Sequence, residues 1–423
     1  MNEALLQFIW QYSLYNSTDL YTNSGEKLII IHPGVRNTNS GPDFLEGKIK
    51  IGDTILVGNI ELHVNSSDWL KHGHQLDLAY NNVVLHVVYN IDNNNVTEHI
   101  ELFELKGNIP SHIHTQYAYL ANSQQQLPCA RLIPQVNDLV KSSWVSRLLA
   151  ERWEQKLVDW NELLEKSAGD WRSLLYWRTA VNFGFKTNAT PFLMLAQSIP
   201  LTVLAKHREN LLQIEALLFG QAGMLEDVFT EQYPITLKEE YSYLQKKYSL
   251  QPIPAHLWKF MRMRPANFPT VRIAQFAALV NKSLHLFSQI VEVSTVKEIV
   301  PLLSVTASEY WNTHYRFEEV QKRPIVKHLG ISSIYNVIVN TIAPIRFLYA
   351  SKQGESFEQE KALQLLDEIP FEQNSIIDIW ETSGWKINDA GQSQALIQLY
   401  NAYCTKKRCL ECAIGLNIIR SAK

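Results

Sequence analysis

The stretch TILVGNIELHV (54–64) decides how the first part of this chain folds. Before it runs FLEGKIKI (44–51), and Gly52-Asp53 lies between the two. Two runs of strand character joined by a Gly-Asp pair predict a β-hairpin. Side chains alternate across a strand, so Glu61 and His63 share one face while Leu62 and Val64 take the other. That face is either wetted or occupied by an ion, and the choice bears on whether the chain is an enzyme.

Outward from the hairpin, residues 3–16 carry apolar positions at helical spacing. KLIIIHPG (27–34) reads as a strand, VVLHVVYN (83–90) as a buried strand and TEHIELFELK (97–106) as a more exposed one. NSSDWLKHGHQLDLAYNN (65–82) holds a short helix. The order is helix, three strands, short helix, one or two strands. After residue 140 the pattern becomes helical, beginning with SWVSRLLAERWEQKLVDWNELLEK (143–166) and punctuated by proline and glycine. The junction falls in PSHIHTQYAYLANSQQQLPC (110–129). The expected fold is an α/β domain over 1–125, a small mixed sheet with flanking helices, followed by an all-α domain over 126–423.

Hydrophobic residues make up 46% of the 423 and charged residues 19%, which excludes a disordered chain. The eleven tryptophans are expected in cores. A net charge of −3 provides no global basic field, so nucleic acid would need a local basic patch. The start, MNEALLQFIWQYSLYN, lacks the pattern of a secretory signal, and no apolar run reaches the roughly 18 to 20 residues of a membrane span. A soluble cytoplasmic protein without membrane association is expected.

GPDF (41–44) places Asp43 at the entry to the strand before Glu61. A hairpin brings the two carboxylates together, and a divalent cation would relieve their repulsion. Oxygen ligands suit magnesium or manganese. Asp68, His72, His74 and Asp77 follow closely, and His63, His72, His74 and His86 fall within 24 positions. The histidines would serve as ligands, proton carriers or phosphate contacts. The plainer reading has Asp68 capping a helix after Ser66-Ser67 and a strand histidine bonded in the core. In a rival reading His72-Gly73-His74 face one zinc or manganese ion in a hydrolase of small substrates. HExxH helices, glycine-rich phosphate loops and nucleophile elbows are absent from the sequence.

YCTKKRCLECAIG spaces Cys404, Cys409 and Cys412 as C-x4-C-x2-C, and Cys129 is the one other cysteine. Four thiols could hold zinc or an iron–sulfur cluster. The plainer reading is buried free thiols. Lys406, Lys407 and Arg408 would lower the thiol pKa values or contact phosphate. WKFMRMRPANFPTVR (258–272) groups Lys259, Arg262, Arg264 and Arg272 among Trp258, Phe260 and Phe268. Lys259 and Arg262, one helical turn apart, would share a face. Cations interleaved with rings suit single-stranded nucleic acid. They equally suit a helix end before a proline-rich loop. RTAVNFGFKTN (178–188) reads as a helix stop at Gly184, and YWNTHYRF (310–317) as aromatic packing.

The element order, with Pro42-Asp43 and then Glu61-Leu62-His63, resembles the PD-(D/E)XK nuclease superfamily. The resemblance implies a restriction-endonuclease-like fold, metal binding by Asp43 and Glu61, and a histidine, His63, in place of the family's lysine. It leaves the missing positive charge to Lys48, Lys50 or Lys71. Some members hold an iron–sulfur cluster by one distant cysteine and three near the C-terminus, an outline similar to that here. GPDF, GNIELHV, SSDWLKHGH, NNVVLHVVY, NFGFKTN, LLFGQAG, RPANFPTVRIAQFA and YCTKKRCLECAIG together resemble a bacterial family known only as a domain of unknown function, which implies no activity. The expectation is a metal-dependent nuclease-like phosphodiesterase acting on DNA or RNA. Asp43 and Glu61 would bind the ion, His63 would position or deprotonate water, and His72 or His74 would assist. A non-catalytic scaffold is the alternative, beside the small-substrate hydrolase.

Overall fold

A computed structural model describes residues 1–96, 99–282 and 285–421. The chain divides into two units. The first comprises Met1–Val145, Asp378–Trp385 and Ile397–Lys423, and the second Ser146–Ile377 and Lys386–Leu396. An N-terminal mixed α/β region is followed by a large all-α region.

In the first unit, α1 (Glu3–Gln11) starts at Asn2, whose side-chain oxygen accepts from the Leu5 amide. It buries Leu5, Leu6, Phe8, Ile9 and Trp10, and the Trp10 indole donates to the Pro33 carbonyl. Seven strands form one sheet: β1 (Leu20–Tyr21), β2 (Lys27–His32), β3 (Val35–Arg36), β4 (Phe44–Ile51), β5 (Thr54–Asn65), β6 (Val83–Asn90) and β7 (Glu101–Glu104). Their order is β1-β2-β4-β5-β6-β7, with β3 paired to β4. Of the exposed strand expected over 97–106, residues 97 and 98 lie outside the described residues.

The hairpin β4–β5 is antiparallel, and its turn pairs Ile51 with Thr54. Between Gly47 and Phe44 the register slips, and Glu46 takes φ +58°. This bulge brings Phe44 opposite Ile60, so Asp43 arrives beside Glu61 and Leu62. Gly58 is required where it stands: a Cβ there would lie 2.5 Å from the Val84 side chain and 2.6 Å from the Asn82 carbonyl oxygen. β5 and β6 are parallel, with Glu61 opposite His86. Parallel strands need a crossover connection. Here it carries α2 (Asp68–His72) and two short turns, His74–Leu76 and Leu78–Tyr80.

The second unit contains α4 from Ser146 onward (the whole helix is Asp138–Lys166, after α3, Ser111–Asn122) and α5 (Trp171–Phe183). Trp153, Trp160, Phe192, Phe219, Phe276 and Trp311 fill its core. Across the chain, nine of the eleven tryptophans are buried, as their number suggested. The helical pattern expected through 271–291 includes residues 283 and 284, which lie outside the described residues. The helical stretch Ile331–Gln353 is long and apolar enough to cross a membrane by length and composition, but 61% of its apolar window is buried, as in a core helix. The sequence showed no continuous apolar run there because Ser332, Ser333, Asn336 and Asn340 interrupt it. A π turn at Ile338–Ile342 breaks its regularity.

Lys259 and Arg262 do not share a helical face. Their segment is made of short turns, Ala255–Leu257 and Pro265–Asn267, with Arg262 at φ +59°. Pro252, Pro254 and Pro265 each lack an amide donor and break any helix through it. α5 does end at Phe183, just before Gly184.

Candidate metal centre

β5 turns Glu61 and His63 inward, where they are 4% and 1% exposed, and β6 adds the fully buried His86. The His63 ring is fixed at both ends. Its Nδ1 lies 2.9 Å from His86 Nε2, and its Nε2 lies 3.1 Å from His72 Nδ1. His72 closes α2. Gly73 then takes a left-handed conformation, φ +74°, which reverses the chain and returns His74 to the same place. Trp69 and Tyr80 wall the cluster. The Tyr80 ring stacks on His74 at 3.9 Å, and Trp69 meets His74 and His86 at 5.3 and 5.1 Å.

His63, His72 and His74 each offer one ring nitrogen, and the three lie within 4.8 Å of one another. Ligands about 2.0–2.1 Å from a tetrahedral zinc ion stand roughly 3.3 Å apart, so the 3.1 Å between His63 and His72 fits such an ion. His74 Nε2 is buried without a hydrogen-bond partner. His63 is buried, His74 partly so and His72 exposed, so the cluster opens to solvent on the His72 side. Burial, reinforced by neighbouring imidazoles, pushes His63 down to about 3 and His86 down to about 4, and lowers His74. The His63, His74 and His86 rings are thereby held toward the neutral form, the one that coordinates metal.

The carboxylates adjoin this cluster without joining it. Glu61 Oε1 lies 3.6 Å from His63 Nε2 and 3.5 Å from His74 Nε2. Its other oxygen accepts from the Asp43 amide at 3.0 Å. Asp43 accepts from Gln7 Nε2 at 2.7 Å and from the Leu62 amide at 3.1 Å. Burial, then the neighbouring Asp43, raises Glu61 to about 8. Burial raises Asp43 to about 6. The expected magnesium or manganese site at Asp43 and Glu61 is thus overturned. Amide donors occupy both Asp43 oxygens and one Glu61 oxygen, and the ligand group found among the described residues is made of histidines alone. Gln7 went unrecognised in the sequence. It lies on α1, 36 residues before Asp43, and no local pattern marks it. Asp68 bonds the Asn65 amide and Lys71, while Ser67 holds the N-cap position of α2.

The cysteine site is also corrected. Cys129, Cys404, Cys409 and Cys412 are free, and among the described residues no three of them meet at ligand spacing. Zinc or an iron–sulfur cluster at these thiols is therefore set aside. Burial pushes Cys412 up to about 11 and raises the other three. The basic residues between them do not reverse this: Arg408 pairs with Glu411, and Lys407 reaches the Ala121 carbonyl.

Lys259, Arg262 and Arg264 are exposed, but Arg272 is 5% exposed. Its guanidinium bonds Asn267, Gln275 and Ser333 and covers the Phe185 ring at 4.6 Å. Phe260 and Phe268 pack beneath Arg316 at 4.6 and 5.1 Å. Asn188, from the NFGFKTN stretch, bonds both the amide and the carbonyl of Lys259.

A mixed α/β region that bears a three-histidine cluster able to coordinate metal, followed by helices, is the class of protein defined here. Residues 3–375 match the family described as DUF2851, protein of unknown function, and the chain belongs to that family. No curated protein and no solved structure matches it.

Proposed function

We propose that this chain is a metal-dependent hydrolase whose ion is held by His63, His72 and His74. The convergence of three ring nitrogens at ligand spacing carries the reading. Zinc suits three imidazole ligands with an open fourth position. Such an ion supplies a Lewis-acid centre and an activated water. Glu61 is the proton carrier, since its Oε1 faces two of the ligand nitrogens while its Oε2 is held by the Asp43 amide. Asp43, fixed by Gln7 and the Leu62 amide, positions Glu61. His86 orients the His63 ring, the role of an outer partner that sets ligand direction.

A phosphodiester of DNA or RNA is the substrate class we favour. The Pro42-Asp43 and Glu61 elements do meet on a mixed sheet, which supports a nuclease-like reading of the fold. Lys259, Arg262 and Arg264 keep their charges in solvent and are the cations offered to a nucleic-acid backbone. Arg272 is not among them.

The test combines metal content with turnover. Purified protein is expected to retain one zinc per chain, and the His72→Ala/His74→Ala double variant to lose it. His86→Ala should weaken zinc by roughly 10–100-fold. Labelled single- and double-stranded DNA and RNA, with a chromogenic ester as comparison, are then offered to wild type and to Glu61→Gln. Cleavage should fall by roughly 10²–10⁴-fold in Glu61→Gln while zinc is retained. Wild type without stoichiometric metal would sink the proposal, as would equal turnover in the two proteins.

A further inference from the structure

The helical unit holds a second constellation. Arg152, Lys156 and Trp160 recur every four residues along α4 and share one face. Arg178 of α5 places its guanidinium 4.7 Å from the Trp160 ring centre, and Lys156 Nζ lies 6.0 Å from the same ring. Arg152 and Arg178 both act electrostatically on Lys156. Burial, then Arg152 and Arg178, pushes its ammonium down to about 7. Compensating acid is sparse. Glu372 reaches Arg152 through Gln394, and the exposed Asp159 acts on Arg178. Arg178 Nε is buried without a hydrogen-bond partner. Lys156 donates to Asn340 Oδ1 at 3.0 Å, which leaves two of its protons uncommitted among the bonds described.

Asn340 belongs to the π turn Ile338–Ile342. Such turns recur at functional sites because they re-aim side chains. Its neighbour Thr341 donates to the Arg178 carbonyl at 3.2 Å and accepts from Asn182, which ties the turn to α5. Arg152, Lys156, Arg178 and Asn340 are all only partly buried, so solvent reaches them.

We propose that Arg152, Lys156 and Arg178 bind a doubly charged tetrahedral oxyanion, with a phosphate group as its biological form. Three cations meet two carboxylates, of which Asp159 is exposed and Glu372 reaches Arg152 through Gln394, so positive charge is left over for an anion. Guanidinium forks match phosphate oxygens geometrically, and a lysine adds a point charge. The Trp160 ring, 4.7 Å from the Arg178 guanidinium carbon, restrains that group.

The full-length chain is titrated with inorganic phosphate at fixed ionic strength, and binding is read by calorimetry and by Tm. Sulfate serves as a second dianion, and chloride and acetate as controls. Phosphate and sulfate are each expected to bind saturably and raise Tm, whereas chloride and acetate do neither. Lys156→Gln removes the charge its neighbours oppose, so it should fold at least as well as wild type. It should nonetheless bind phosphate roughly tenfold more weakly. Arg178→Lys keeps the charge but loses the fork, and should weaken binding similarly. The absence of saturable binding would overturn the proposal. So would an equal response to acetate, or unchanged phosphate affinity in Lys156→Gln, which would mark an adventitious ion elsewhere.

Discussion

Glu215 lies within the helix Leu211–Gln221 at 1% exposure, and its Oε1 has no hydrogen-bond partner. Burial raises its pKa to about 7, although Ser308 and Tyr233 hold the carboxyl and partly oppose the shift. An unfolded glutamate ionises near pH 4.3. The folded chain therefore holds this proton more tightly than the unfolded one. The stability linked to it is complete below about pH 4.3 and is lost as pH rises through about 7. By pH 8 the loss is roughly 3 kcal/mol. Glu215→Gln is expected to remove this pH dependence. Urea unfolding should find the variant more stable than wild type at pH 8, with the difference gone at pH 4. Parallel curves at both pH values would show that Glu215 does not hold its proton.

At the scale of elements, the hairpin and the crossover do most to build the metal centre. The bulge between Phe44 and Gly47 delivers Asp43, and the parallel pairing of β5 with β6 sets Glu61 opposite His86. Gly58→Ala tests that packing. Its methyl group would meet Val84 and the Asn82 carbonyl oxygen at distances no relaxed contact allows. Overpacking of this kind costs about 1–3 kcal/mol, so Tm should fall by several degrees. Retention of wild-type Tm would show that β5 and β6 can separate without penalty. The strands, the hairpin and the bunching of His63, His72 and His74 were legible because each depends on local spacing. The division of labour between acids and imidazoles was not. It depends on Gln7, on the Leu62 amide and on burial, which come from the tertiary fold. The basic stretch failed for a related reason. Arg272 looks like its neighbours in sequence, but Asn267, Gln275 and Ser333 draw it inside. The cysteine spacing, though suggestive, does not specify where the sulfurs point, and the fold leaves them as free thiols, Cys129 and Cys412 buried and Cys404 and Cys409 partly so.

Over the whole molecule, the two proposed ligands bind residues of different units, the histidines in the first and Arg152, Lys156 and Arg178 in the second. A ligand stabilises the structure that binds it and slows only those openings that would release it. Hydrogen exchange can therefore address each site separately in one full-length sample. Zinc should slow amide exchange in β5, α2 and the turn His74–Leu76, because opening any of these separates the ligand nitrogens. Phosphate should slow exchange in α4, α5 and the π turn at Ile338–Ile342. A chelator should reverse the first pattern and leave the second intact. Zinc protection confined to the cysteine segment 404–412 would move the metal away from the histidines. Phosphate protection around 61–74 would make the anion a ligand of the metal centre and leave the helical cluster a purely structural ion network.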